Sequence, residues 1–210
     1  MNTAARRLAR PPKKPKLPLG KQDWIKAATE ILVSESINAV RVEVLAKTLK
    51  VSRPSFYWHF VDRQELLMEV LYAWRDHHLS FRAKLERMAA SHKDMMKELL
   101  SLPFHGRTAR REFLIESAIR AWARRDLTAA QVVAHEDRGR LTFYQQQFTR
   151  IGYSKSEAAV RAYALYSFQL SEAILWSQGT EKEKKERLDF FETLLTDSKK
   201  QNKKVSSRSG

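Results

Sequence analysis

The sequence predicts an all-α protein, and three observations carry that reading. Four segments fit the capping-box pattern of a helix start: Asp62-x-x-Glu65, Thr128-x-x-Gln131, Ser154-x-x-Glu157 and Thr180-x-x-Glu183. In that pattern the N-cap oxygen and the N3 side chain satisfy each other's free backbone donors. Six glycines and six prolines in 210 residues leave few turn positions for a sandwich of short strands. No segment alternates apolar and polar residues for long enough to suggest a strand.

Consecutive helices are expected from residue 21 to residue 198. Residues 42–49 form a short amphipathic helix, Lys50-Val51-Ser52 breaks it, and a second short helix is expected from Arg53 to Phe60. Ser52 is a good N-cap, and Pro54 falls in the first turn, where its missing N–H breaks no hydrogen bond. From the Asp62 cap, Leu67, Leu71, Trp74, His78, Phe81, Leu85 and Met88 recur at spacings of four and three, which predicts one long helix with a continuous buried stripe. Pro103 and Gly106 interrupt the next helix. A helix over 128–151 carries Leu141, Tyr144, Phe148 and Ile151 on one face, with Gly139 inside it at a cost of about 1 kcal/mol relative to alanine. Gly152 and Gly179 are placed to end helices in left-handed turns just before Ser154 and Thr180. An alanine-bearing helix follows over 155–178. The last, 181–198, spreads Leu188, Phe190, Phe191, Leu194 and Leu195 over more of its circumference than a surface helix needs, which predicts burial on two sides.

Composition closes several function classes. The chain has no cysteine, so a disulfide framework, a thiolate zinc site and a cysteine nucleophile are excluded. No apolar run reaches the 18 or more residues of a membrane span, and the first twenty residues lack a secretory apolar stretch; the expectation is a cytoplasmic, nucleoid-associated protein with no membrane partner. Pro11, Pro12, Pro15 and Pro18 argue against the amphipathic helix of a transit peptide. The net charge is +15, and twelve of the excess cations lie in residues 1–22 and 199–210, which contain no acid. Both ends are too poor in apolar side chains to offset the entropy of ordering. They read as disordered basic tails over 1–20 and 199–210, suited to a polyanion or simply to solubility. Between Asp23 and Ser80, by contrast, seven cations face eight acids. Phosphate affinity there must come from placement and from helix N-termini, assisted by the N-terminal tail.

The spacing of residues 42–60 is that of a helix-turn-helix, whose second helix enters the major groove. Phe56 and Phe60 take the packed face, while Arg53 and Ser55 are placed for base edges and Tyr57 and His59 for phosphates. Val44-Leu45-Ala46, Val51-Ser52 and Phe56-Tyr57-Trp58-His59-Phe60, followed by Asp62-Arg63-Gln64-Glu65-Leu66-Leu67, resemble the DNA-binding signature of the tetracycline-repressor (TetR) family over residues 24–71. Two departures stand out. Arg41 occupies a position usually held by a capping threonine or serine and trades that cap for a phosphate contact, and Lys50 replaces the usual turn glycine, at about 1 kcal/mol if left-handed. More weakly, Arg120-Ala121-Trp122-Ala123 with Asp126, Asp137-Arg138 and Gly152 resemble the effector-binding half of family members.

The resemblance implies nine or so helices, with a helix-turn-helix domain over 21–66 and an effector-binding and dimerisation domain over 67–198. It implies a regulator, in the first instance a repressor, that binds palindromic double-stranded DNA as a homodimer and answers to a small, mostly apolar effector. DNA-contact candidates are Arg41, Lys50, Ser52, Arg53, Pro54, Ser55, Tyr57, Trp58, His59 and Arg63. Effector-cavity candidates, drawn from side chains that could equally be plain core, are Met88, Met95, Leu99, Phe113, Trp122, Tyr144, Tyr166 and Trp176. A four-helix dimer bundle would use Ala158, Ala162, Gln169, Ala173, Leu188, Phe191 and Leu195. No cofactor is expected. No metal is either: His77 and His78 lie about 100° apart with no partner one turn away, and His135-Glu136-Asp137 lacks the helical zinc pattern, leaving Asp137, Arg138 and Arg140 as a solvated or intersubunit charge cluster. Two other readings stay open, an architectural DNA-binding protein without ligand control and an all-α enzyme. The second lacks a nucleophile with a base, paired carboxylates and a phosphate-cradling loop.

Overall fold

The computed structural model describes residues 19–196, and the two basic tails expected at 1–20 and 199–210 lie outside the described residues apart from Leu19 and Gly20. Among the described residues there are eight α-helices and three 3-10 helices and no strand. They are α1 (Lys21–Ser34), α2 (Val42–Leu49), α3 (Arg63–Met88), α4 (His92–Ser101), α5 (Gly106–Ala123), α6 (Leu127–Arg150), α7 (Lys155–Ile174) and α8 (Glu181–Thr196). The 3-10 helices are Ile37–Ala39, Arg53–Trp58 and Leu102–Phe104.

Local chemistry accounts for the ends. Asp62 accepts from the Glu65 N–H at 2.8 Å, Ser154 and Glu157 form a reciprocal box, and Thr180 and Glu183 do the same. Gly152 and Gly179 are left-handed, at φ 101° and 84°. Thr128 does not cap α6: Asp126, two residues earlier, accepts from the Ala129 N–H at 2.9 Å, and its short carboxylate outcompetes the threonine. The second helix of the motif is a 3-10 turn and not an α-helix, held by i to i+3 bonds such as Ser55 N–H to Ser52 O. Six residues give too few α-type bonds to repay nucleation.

Two apolar clusters form the core. The first joins α1, α2 and the 3-10 turn to the N-terminal half of α3 and to Ile119, Trp122, Ala129 and Val133 of α5 and α6. Trp24 and Phe56 are fully buried there, edge to face at 5.4 Å. The second gathers α4, α7, the C-terminal half of α6 and Leu195 of α8 around Leu85 of α3. Helix α3 runs unbroken through both, so the boundary expected between residues 66 and 67 falls inside a helix. Its stripe is buried at Leu67, Leu71, Trp74 and Leu85 but ends there, because Met88 is 69% exposed. In α8 only Leu195 is buried, with Leu188 and Phe191 half-covered. Phe190 and Leu194 are bare, so one face of α8 is covered within the chain and the other is not.

Lys50 adopts φ 60°, ψ 43°, the left-handed conformation that the tight turn demands. A left-handed backbone costs a non-glycine residue about 1–2 kcal/mol, and glycine returns about 0.5–1 kcal/mol of that as unfolded-state entropy. Lys50→Gly is therefore expected to raise the unfolding free energy by about 0.5–1 kcal/mol in urea titration.

Candidate nucleic-acid interface and interior cavity

Buried Phe56 and Phe60 clamp the 3-10 turn against α1, which leaves its other side free. Tyr57 and Trp58 stand exposed, Trp58 at 82%, as do Arg41, Lys50, Ser52, Arg53 and Pro54, while Ser55 and His59 are half-covered. Ser52 and Ser55 share a hydroxyl hydrogen bond at 3.0 Å. Arg53 is held by Glu43 of α2 at 2.5 Å, a pair in which both side chains are more than half exposed. Arg63 is the exception among the ten nominated DNA contacts. It donates to the carbonyls of Val40 and Ile37, both at 2.5 Å, and so ties the Ile37–Ala39 turn to the start of α3.

A cavity of about 390 Å³ opens between α3, α4, α5, α6 and α7. Leu99, Phe113, Tyr144 and Tyr166 line it as nominated. The other four candidates are elsewhere. Met88 is on the surface, Met95 is buried outside the cavity wall, and Trp122 belongs to the core beneath the 3-10 turn. Trp176 lines a second cavity, of about 330 Å³, with the Arg110 guanidinium 3.4 Å from its ring centroid.

The charged floor of the first cavity was missed in the sequence. Asp137 and Arg140 are not solvated or intersubunit; they belong to a network inside the chain. Arg120 donates to Glu116 at 2.7 Å and to Asp137 at 2.6 Å, and the Tyr166 hydroxyl donates to Asp137 at 2.7 Å. Arg82 makes a two-pronged pair with buried Glu136, and Arg140 lies 3.3 Å from Glu116. Burial alone would raise the Glu116 carboxyl, but Arg140 and Arg120 reverse this and hold it below the usual carboxylate range. Burial, then Arg140, push the His78 imidazole down to about 3, so it is neutral, with Nδ1 facing Arg140 at 3.4 Å. The sequence did hold a signal: Val133, Glu136, Arg140, Phe143, Tyr144 and Gln147 repeat at helical spacing, so the charged members share the buried face of α6.

The nominated dimer residues face inward, a correction to the sequence reading. Ala158, Ala162 and Leu195 are buried in the chain's own core, and Leu188 and Phe191 pack on it, with Phe191 stacked on Phe168 at 4.2 Å. Gln169 accepts from the Tyr144 hydroxyl and donates to the Leu99 carbonyl, both at 2.7 Å, and Ala173 lines the cavity. Small alanines let α7 lie close along α6, which is why their stripe turns inward. The bare apolar side chains of these helices are instead Val160, Tyr163, Ile174, Phe190 and Leu194.

Among the described residues there is no group of His, Asp and Glu able to hold a metal ion, and no helix is long and apolar enough to cross a membrane. Residues 25–70 match the family model of bacterial regulatory proteins, tetR family. No curated protein matches the chain. Among solved structures, a transcriptional regulator from Rhodococcus sp. Rha1 is similar at 17% identity and TM-score 0.64, covering 84% of this chain and 96% of that one. A transcriptional regulator from Saccharomonospora viridis in complex with choline is similar at 14% and 0.68, covering 82% and 94%. The ketosteroid transcriptional regulator KstR2 of Mycobacterium tuberculosis is similar at 9% and 0.59, covering 86% and 94%. At such identities the likeness is one of fold.

The neutral His78 has a consequence for stability. Its folded pKa lies below the ordinary 6.5, so as pH falls through 6.5 the unfolded chain takes up a proton that the folded one refuses. Stability is then lost towards acid by up to about 1.4 kcal/mol per pH unit. His78→Phe is expected to flatten that slope between pH 6.5 and about 5, above the range in which carboxylates titrate, as measured by urea unfolding across the interval.

Proposed function

We propose that the chain is a homodimeric repressor of the tetR kind, on the strength of the match of residues 25–70 to the family model of bacterial regulatory proteins, tetR family. It reads palindromic DNA with residues 53–59 and is released by a small, mostly apolar effector held in the cavity of about 390 Å³. The observation that carries the reading is the left-handed turn at Lys50, which presents Arg53, Ser55, Tyr57 and Trp58 over a clamped Phe56. Residues 21–66 act as the reading head and 67–198 as the effector and dimerisation half, and the basic tail over 1–20 adds phosphate contacts.

One such head spans only a few base pairs, so two related by a two-fold axis address half-sites about 34–36 Å or a multiple apart. The bare stripe of Val160, Tyr163, Phe190 and Leu194 supplies the surface for a second copy. Effector coupling runs along α3. Phe81 and Leu85 of that helix line the cavity, while its N-cap Asp62 follows the 3-10 turn, so a ligand that displaces the far end tilts the head away from groove spacing.

Selection from genomic fragments followed by footprinting tests this, and recovery of sequence-independent fragments alone refutes it. Arg53→Ala is expected to cost about 1–3 kcal/mol on the selected site and to flatten preference at one position, whereas Tyr57→Phe weakens all sequences alike. A Tyr163→Asp, Phe190→Asp double variant is expected to sediment as a folded monomer and to lose preference for the palindrome over a single half-site.

A further inference from the structure

Three arginines, Arg82, Arg120 and Arg140, meet three acids, Glu116, Glu136 and Asp137, beside the cavity of about 390 Å³, which Arg82, Arg140 and Glu116 line, and the pairing is unequal. Arg120 binds Glu116 and Asp137 through contacts of 2.6–3.0 Å. Arg82 takes Glu136 with both terminal nitrogens. Arg140 has the Tyr166 ring 4.7 Å away and hydrogen-bond contacts of 3.3 Å to Glu116 and 3.4 Å to His78, with Glu136 at 3.9 Å, and these polar contacts are all longer than the 2.7–2.9 Å of a charge-assisted bond. Yet Arg140 is only 7% exposed, lines the cavity and cannot shed its proton. A buried guanidinium held by contacts this long keeps donor capacity for a further planar acceptor.

The acids on the wall do not invite a cation instead. Glu116 already accepts from Arg120 and from Arg140, while Glu112 sits 3.3 Å from His77. Lys84 adds a further positive charge to the lining. The imidazole of His78, beside Arg140, is held neutral by burial and then by that arginine, in keeping with a positive field at this point.

We propose that the cavity takes an apolar monocarboxylic acid, its carboxylate seated on Arg140 and its hydrocarbon body against Phe81, Leu85, Leu99, Phe113 and Leu170. The proposal rests on the reading of this cavity as the effector site and names the chemical class of the effector. A planar carboxylate matches the two terminal nitrogens of Arg140. It competes with Glu116 for them, and Glu116 stays compensated because Arg120 remains on it.

The test titrates the full chain at neutral pH, by calorimetry, with two series of one body each: decanoate, decanamide and decylammonium, and phenylpropanoate, phenylpropanamide and phenylpropylammonium. In at least one series the acid is expected to bind about tenfold or more tighter than its amide, and the ammonium weakest. Arg140→Gln should erase the acid-to-amide gap and Arg140→Lys keep part of it, while Leu170→Trp, which fills the cavity and leaves Arg140 in place, should abolish binding. The wild-type ranking stands even where a variant fails to fold. Amide or ammonium binding as tightly as the acid in both series, or a gap that survives Arg140→Gln, overturns the carboxylate assignment and leaves the effector cavity in place. Acid binding that survives Leu170→Trp puts the site elsewhere and overturns it too. No binding by any of the six, with palindromic DNA still bound, overturns both the assignment and the effector reading.

Discussion

Three guanidinium groups that cannot be neutralised sit in the interior of this protein, and the acids that compensate them come from two helices while the arginines come from three. Glu116 of α5 is the hub: Arg120 reaches it from its own helix and Arg140 from α6. Arg82 brings α3 into the arrangement through Glu136, and Tyr166 brings α7 through Asp137. Removing one member of such a set strands a buried charge at a cost of about 3–5 kcal/mol, so the mutual placement of four helices is specified far more tightly than apolar contact alone would require. The cavity exists within this frame, because these four helices are spaced by charged groups that cannot collapse onto one another.

The reading head and the cavity share a single rod. Asp62 caps α3 beside the 3-10 turn, Leu67 to Trp74 bind that end into the first core, and Phe81 and Leu85 reach the cavity wall about five turns further on. Lys21 paired to Glu69 at 2.8 Å, and Arg111 paired to Glu30, brace α1 against α3 and α5. The 3-10 turn is therefore joined to the cavity wall by one continuous helix that is braced by α1.

What the sequence disclosed follows the range of the interaction involved. Ser154, Thr180, the glycines that follow helices and the Asp62 cap act within one turn of chain, and their chemistry is written in adjacent letters. Thr128 misled because a stronger cap, Asp126, lay just outside the pattern. The 3-10 form of residues 53–58 was hidden because hydrophobic spacing distinguishes poorly between 3.0 and 3.6 residues per turn over so short a span. For α7 and α8, two stripes of each helix suited packing, and periodicity cannot say which one meets the chain's own core. In the sequence Arg140 reads with Asp137 and Arg138 as a solvated or intersubunit charge cluster, since charged side chains are seldom buried. Only its place on the same face as Val133 and Phe143 pointed inward.

If Arg53 reads DNA as proposed, its ion pair with Glu43 changes what it can contribute when DNA arrives. A free guanidinium would gain from any acceptor, whether a phosphate, a guanine edge or a misplaced carbonyl. One already matched to a carboxylate gains only the difference between its new partner and its old one. On a mismatched sequence that difference vanishes or turns unfavourable, while a two-pronged contact with guanine still exceeds it. In the proposed function Glu43 thus serves as an internal reference standard for Arg53, lowering its grip on all DNA so that what remains is a comparison between bases.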